Sequence, residues 1–259
     1  MSLIILHNAG FFSCCSVRLS DIVQYINHHK KIPEHVDSSN QFKWYKNSDR
    51  DVTYDYFKED TNVNITNLTI NYYHTYQYHD YSTLDPCIYP LVKKYFTPSQ
   101  QIIDMITKME NKYNLMYDNI CVLFYRGNDK ITETRLCGYD EYIMYAKEVL
   151  KKNPHVVFLI QSDETEFIEY MSKQFPKSFY FRDEIRHMKK CNNTVDIVFK
   201  EKNDEFSKYY LAITVIMSKC KFIICGSGNC SIWIMLYRGH SRGVYQNVNG
   251  RWIKHGCGN

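Results

Sequence analysis

From residue 98 onward, short apolar runs alternate with stretches whose apolar residues recur at helical spacing, and this alternation constrains the fold more than any other feature. Pro98-Ser99 opens a helix with Ile102, Ile103, Ile106 and Met109 on one face, because proline is tolerated in a first turn. A strand at 120–125 precedes a helix at 139–152, whose Tyr142, Ile143, Ala146, Val149 and Leu150 point inward. A strand at 155–160, a helix at 164–174 and a short strand at 178–181 come next. A helix at 206–219, a strand at 221–225, a helix at 229–237 and a strand from Gly243 to Gln246 complete the series. Strands separated by helices of this length form βαβ units, and so a mostly parallel sheet with helices on its faces.

Before residue 98 the pattern is weaker. Ser2 to Leu6 reads as a strand and His7-Asn8-Ala9-Gly10 as the loop after it. Leu19, Ile22, Val23 and Ile26 then mark a helix face. Residues 33–60 are polar and irregular, while the Val63/Ile65 and Leu68/Ile70 alternations predict short strands within 61–81. The natural division is near 96–100. It separates an N-terminal α/β part, residues 1–97, from a C-terminal doubly wound part, residues 98–259.

With 259 residues, 44% hydrophobic and 23% charged, the composition is that of a globular protein with a sizeable core. The net charge of +4 neither supports nor excludes a polyanion partner. The longest basic patches are the pairs Lys30-Lys31, Lys93-Lys94, Lys151-Lys152 and Lys189-Lys190, which read as solvated faces, so no nucleic acid is expected. The start of the chain lacks a basic leader, and no run of about 18 apolar residues occurs, so no membrane span is expected. Ten cysteines include the adjacent pair Cys14-Cys15 and three inside apolar patterns, Cys121, Cys220 and Cys225. With no paired CxxC motifs they read as reduced thiols in a cytoplasmic protein, and no metal site is expected. The 23 tyrosines, clustered at Tyr72, Tyr73, Tyr76, Tyr78 and Tyr81, fit either an AT-rich genome or a carbohydrate-binding surface.

Four loops follow the carboxyl ends of predicted strands, where open α/β sheets bind ligands. The apolar run Cys121 to Tyr125 stops at Arg126, followed by Gly127, Asn128, Asp129 and Lys130. Arginine holds a phosphate in two-point contact; the alternative is a salt bridge from Arg126 to Asp129 with no ligand. Asp129 either orients Arg126 or serves as a general base. Ser227, Gly228, Asn229 and Cys230 precede a helix and form either a phosphate cradle or a tight turn with an Asn cap. Ser162 and Asp163 either cap the helix after them or contact a sugar or base. Asn8, Ala9 and Gly10 form the first loop, which lacks a dinucleotide fingerprint.

In this order the loops resemble the fucosyltransferase-like glycosyltransferases: the α-1,6-fucosyltransferases, the nodulation fucosyltransferase and the protein O-fucosyltransferases. Tyr95-Phe96-Thr97-Pro98-Ser99 resembles that family's lead-in to its central helix. Phe124-Tyr125-Arg126-Gly127-Asn128-Asp129-Lys130 is similar to its His-x-Arg-Arg-Thr-Asp-Lys segment at the Arg, the Asp and the Lys. Phe158 to Glu164 resembles its strand ending in Thr-Asp-Asp, and Phe222 to Cys230 its strand and Ser-rich pyrophosphate loop.

The resemblance covers roughly residues 95–240. It implies a GT-B-like α/β fold of two Rossmann-like halves with mostly parallel sheets, the N-terminal half reduced. It also implies a metal-independent enzyme with no cofactor, which moves a sugar, foremost L-fucose from GDP-fucose, from a nucleotide-sugar donor to an oligosaccharide acceptor. Arg126 would then stabilise the departing diphosphate, with Asn8, Ala9, Gly10, Lys130, Ser162, Asp163, Ser227, Gly228, Asn229 and Cys230 on the donor. Two positions depart from the pattern. The family's leading His is Phe124, and its guanine-recognising acid falls near Ile213, with Asp204 and Glu205 the nearest carboxylates upstream. The alternatives are a donor such as a UDP-sugar, or a non-catalytic nucleotide- or carbohydrate-binding protein on the same scaffold.

Overall fold

The computed structural model describes residues 2–46 and 48–256. The N-terminal part opens with a single βαβ unit: β1 (Ser2–Ile4), α1 (Phe11–His29) and β2 (His35–Asp37), with β1 and β2 parallel. Phe11, Cys15, Leu19, Ile22, Val23 and Ile26 line the buried face of α1, the spacing of an amphipathic helix. A short α2 (Thr53–Tyr56) and β3 (Phe57–Lys58) follow. Then α3 (Ile88–Tyr95) leads into β4 (Thr97–Pro98), which pairs antiparallel with β3, and α4 (Gln100–Tyr113) starts just beyond.

The C-terminal part alternates as the sequence predicts: β5 (Ile120–Tyr125), α5 (Tyr139–Lys152), β6 (Val157–Ser162), α6 (Thr165–Gln174) and β7 (Ser178–Phe179). After a one-turn α7 (Val195–Val198) come α8 (Asn203–Lys219), β8 (Phe222–Gly226), α9 (Asn229–Arg238), β9 (Val244–Val248) and β10 (Arg251–His255). One sheet of order β10-β9-β8-β5-β6-β7 carries all six strands, parallel except at the β9–β10 edge. Every residue of β5 is buried, as a strand covered on both faces requires. The fold is thus mixed α/β with a mostly parallel central sheet, and the N-terminal half is reduced to one βαβ unit, the short elements α2, β3 and α3, and irregular chain.

A single apolar core runs through both parts. It is tied together by Trp233 of α9, whose indole Nε1 donates to Ser16 Oγ of α1 at 3.0 Å. Tyr237 of α9 donates to the Phe96 carbonyl at 2.9 Å.

The structure corrects three sequence expectations. The strands predicted within 61–81 do not form, and at Leu68 and Ile70 α1 takes hydrogen bonds a ladder would need. Asn27 donates to the Ile70 carbonyl and accepts from the Ile70 N–H, both at 2.8 Å, and Lys30 Nζ reaches the Leu68 carbonyl at 3.1 Å. The third strand lies two residues later than predicted, because β6 is set by its register on β5, Ile120 opposite Val157 to Tyr125 opposite Ser162. The last strand is half of a hairpin: Val248 pairs with Arg251 across Asn249 and Gly250, both at positive φ. Asn-Gly is the strongest short hairpin signal, and it is present in the sequence. Asn27→Ala removes two hydrogen bonds and is expected to destabilise the fold by about 2 kcal/mol. Urea unfolding checks this through a lower midpoint at unchanged slope.

Candidate functional site

The chain leaves β5 outward through β6 and β7, then returns to place β8 on the other side of β5. The strand order therefore reverses between β5 and β8, which is where doubly wound sheets open a crevice at their carboxyl edge. A cavity of about 380 Å³ lies there. It is lined by Ala9 and Gly10 of the first loop, by Arg126, Asp129 and Lys130 beyond β5, and by 226–230 beyond β8.

Arg126 is the first residue past β5. Because Tyr125 pairs with Ser162, Arg126 emerges beside Asp163 on the neighbouring strand end. Its Nε donates to Asp163 Oδ2 at 3.0 Å, Nη1 to the Tyr210 hydroxyl at 3.0 Å, and Nη2 to Asp129 Oδ1 at 3.2 Å. Asp163 Oδ1 also accepts from the Gly127 N–H at 3.0 Å, so one carboxylate holds both the side chain and the following backbone. A guanidinium has five N–H donors. Three are engaged here, and the side chain, 23% exposed on the cavity wall, keeps two. Burial works against its charge, but Asp163, Tyr210 and Asp129 outweigh that and hold its pKa well above the usual arginine value.

Burial pushes the Asp129 carboxyl above the ordinary aspartate range, and Arg126 only partly offsets it. Gly127 sits where the backbone presses on the turn after β6: a β-carbon there would lie 2.1 Å from Glu164 Oε2. Asn128, buried and left-handed at φ 44°, locks the loop by donating to the Asp163 carbonyl at 2.8 Å and accepting from the Cys191 N–H at 3.0 Å.

Opposite Arg126, the loop from Gly226 turns into α9 at Asn229. The Ser227 N–H donates to the Asn247 carbonyl of β9 at 2.8 Å, and Gln246 Nε2 donates to Ser227 Oγ at 2.9 Å. The Gly228 N–H meets the Tyr81 hydroxyl at 3.3 Å. The first N–H groups of α9 have no intrahelical acceptors, and the positive end of the helix dipole faces the cavity that these residues line. Lys130 runs alongside, its Cε 3.9 Å from where a Gly228 β-carbon would stand, and its Nζ is 2.5 Å from Glu133 Oε2. Cys230 is a buried thiol pushed up to about 11 by burial, with its Sγ 3.6 Å from Thr214 Oγ1.

Three expected residues lie outside this cavity. Asn8 accepts from the Lys43 N–H at 2.9 Å. Ser162 accepts from the Glu164 N–H at 3.0 Å, in a local turn ahead of α6. Asp163 is spent on Arg126 and Gly127, and with Ser162 it lines a second, smaller cavity of about 40 Å³ beneath Arg126. Phe124, Gln161, Phe206 and Ile213 line that one too. Tyr210, Asn128, Tyr81, Gln77 and Asn247 belong to the neighbourhood as well. Asn128 adjoins Arg126 and Tyr81 belongs to the tyrosine cluster, so both have a signal in the sequence; Tyr210, Gln77 and Asn247 come from distant segments and have none. Among the described residues no cluster of three His, Cys, Asp or Glu side chains is placed to hold a metal, no helix is long and apolar enough to cross a membrane, and the nine described cysteines are free.

Compared by sequence, the chain matches no family model and no curated protein. Its backbone does match solved structures. The NodZ α-1,6-fucosyltransferase soaked with GDP-fucose superposes with a TM-score of 0.60 at 8% identity, over 98% of this chain and 99% of the other. The same enzyme co-crystallised with GDP gives 0.59 at 11% identity, over 98% of each chain. Fucosyltransferase NodZ from Bradyrhizobium gives 0.58 at 9% identity, over 97% of each. At such identities the likeness is one of fold, and the fold is that of the fucosyltransferase-like proteins named from the sequence.

Proposed function

We propose that this chain is a glycosyltransferase that takes a sugar from a nucleoside-diphosphate donor and delivers it to a glycan hydroxyl. One observation carries the reading. Arg126 and the α9 N-terminus face one cavity from the two strands that flank the switch point. That arrangement supplies donors for a diphosphate from both sides, with Arg126 already oriented by Asp163, Tyr210 and Asp129. Charge fixed in place before the reaction stabilises charge that develops during it. GDP-fucose is the leading donor, since the similar NodZ structures are described with GDP-fucose and with GDP. Residues 1–97 would form the acceptor side and the first donor loop, and 98–259 the donor-binding half.

In the transfer, the acceptor oxygen forms a bond to the anomeric carbon as the bond from that carbon to the diphosphate breaks. The electron pair leaves on the diphosphate, facing Arg126, Lys130 and the α9 amides. The acceptor proton passes to Asp129. The positive charge comes from protein groups, and the chemistry is taken as metal-independent. Phe124 and Ile213, both about 1% exposed, favour a second reading in which the donor base is not guanine, because neither side chain hydrogen-bonds a base edge. A thermal-shift panel with GDP, UDP and their sugars tests both readings. A ligand present at 100 times its Kd raises stability by about 2.7 kcal/mol. The diphosphate that shifts the melt names the base, and the absence of any shift overturns the nucleotide reading. Transfer from any sugar nucleotide removes the non-catalytic alternative.

The raised Asp129 pKa sets a pH dependence. As pH falls, Asp129 protonates earlier than an ordinary aspartate near 3.9, and a protonated carboxyl accepts no proton. The acid limb of kcat/KM is therefore expected above that value. Asp129→Asn is expected to remove the limb and lower kcat by about 10²-fold. A pH–rate profile of both proteins checks it.

A further inference from the structure

Three carboxamides line the main cavity on its β9 side: Gln77 from the turn at 74–78, Asn229 from the start of α9 and Asn247 from β9. Gln77 is 7% exposed and Asn247 3%, yet Gln77 Oε1, Asn229 Oδ1 and Asn247 Nδ2 are buried without a hydrogen-bond partner. Orphaned polar atoms in a folded interior call for a ligand or ordered water. The Asn247 amide is held in place, its Oδ1 accepting from the Gly250 N–H at 3.0 Å, and the Gln77 backbone is fixed by its main-chain carbonyl, which accepts from the Tyr81 hydroxyl at 3.3 Å.

We infer that this cluster is the subsite for the transferred sugar of the donor, read through its ring hydroxyls. Two orphan acceptors and one orphan donor do not suit an anion, which needs donors only. They suit neutral hydroxyls, each of which both donates and accepts. Position agrees. Arg126 and the α9 amides occupy the middle of the crevice, at β5 and β8. Beyond them on the β6 side is the slot lined by Phe124, Phe206 and Ile213, whose surfaces suit a planar ring. The carboxamides lie at the opposite end, toward β9. From β6 to β9 is three strand spacings, about 14 Å, so base, diphosphate and sugar would follow one another along the carboxyl edge. The inference rests on the nucleotide-sugar reading and specifies which end of the crevice takes the sugar.

Calorimetric titration of the wild-type chain, Gln77→Met and Asn247→Leu with GDP, GDP-fucose, UDP and UDP-glucose tests it. For the diphosphate that binds, its sugar nucleotide is expected to bind the wild type about tenfold more tightly, or about 1.4 kcal/mol. Each variant should bring the two to within about threefold, with diphosphate affinity unchanged. Equal affinities in the wild type, which need no variant, overturn the subsite and leave the proposed function standing. So do variants that weaken both ligands alike, or that lower affinity only for a glycan acceptor. Failure of every diphosphate and sugar nucleotide to bind overturns the nucleotide-sugar reading and this inference with it.

Discussion

Replacing Arg126 with alanine is expected to lower turnover of the sugar nucleotide by about 10³-fold, the loss seen when one preorganised donor to a developing anion is removed. The expected magnitude follows from the geometry. Three partners fix the guanidinium, so little of its orientation has to be found during the reaction, and its two remaining donors lie on the cavity wall. Arg126→Lys keeps a charge but loses the fork that holds two oxygens, and should recover only a small part of the activity. Single-turnover assays report the chemical step directly. A variant that folds, binds the diphosphate and turns over at the wild-type rate would remove Arg126 from the mechanism.

Asp163→Ala is expected to have the largest combined effect on stability and activity. The Asp163 side chain is 5% exposed and holds Arg126 Nε and the Gly127 N–H at once. Its loss leaves a largely buried guanidinium short of its main counter-charge and a backbone N–H unsatisfied. Breaking a buried pair from one side typically costs about 3–5 kcal/mol. Here Tyr210 and Asp129 still hold Arg126 and part of it meets solvent, so about 3 kcal/mol is expected, or a fall in Tm of roughly 8 °C. Asp163→Asn keeps an acceptor but not the charge and should lose about half as much. Both variants should lower kcat if Arg126 faces the leaving group as proposed, because an unanchored guanidinium would lose that orientation. Calorimetric melts with initial-rate assays separate the two effects: unaltered kcat in a stably folded Asp163→Asn would limit Asp163 to a structural role.

Much of this arrangement is legible in the chain. β5 and α5 fall where the apolar pattern puts them, because a strand buried on both faces and an amphipathic helix each have their own periodicity. Arg126 is visible because a charged residue ending such a strand has no packing reason to be there. Asp163, which the sequence leaves open between capping the next helix and contacting a ligand, turns both its oxygens to Arg126 and Gly127. That difference depends on the register of β6 against β5, which local pattern does not encode. The strands expected within 61–81 failed for a related reason, since Asn27, more than forty positions earlier, competes for the same backbone groups. The hairpin at Asn249-Gly250 is the converse case, a turn set by a local two-residue signal, with both residues at positive φ.

From residue 98 to Gln246 the sequence by itself determined most of the elements: which runs are strands to within about two residues, which faces of helices are apolar, and which loops follow strand ends. Those properties come from side-chain periodicity and backbone preference within a few residues. Only the tertiary structure decided the partners. It placed β8 beside β5 rather than beside β7, so that the Arg126 loop and the α9 N-terminus flank one crevice. It brought Tyr210 to the guanidinium and assembled Gln77, Asn229 and Asn247 from three separate segments. Contacts of that kind arise from burying one shared core, and their energy resides in pairs of residues far apart in the chain.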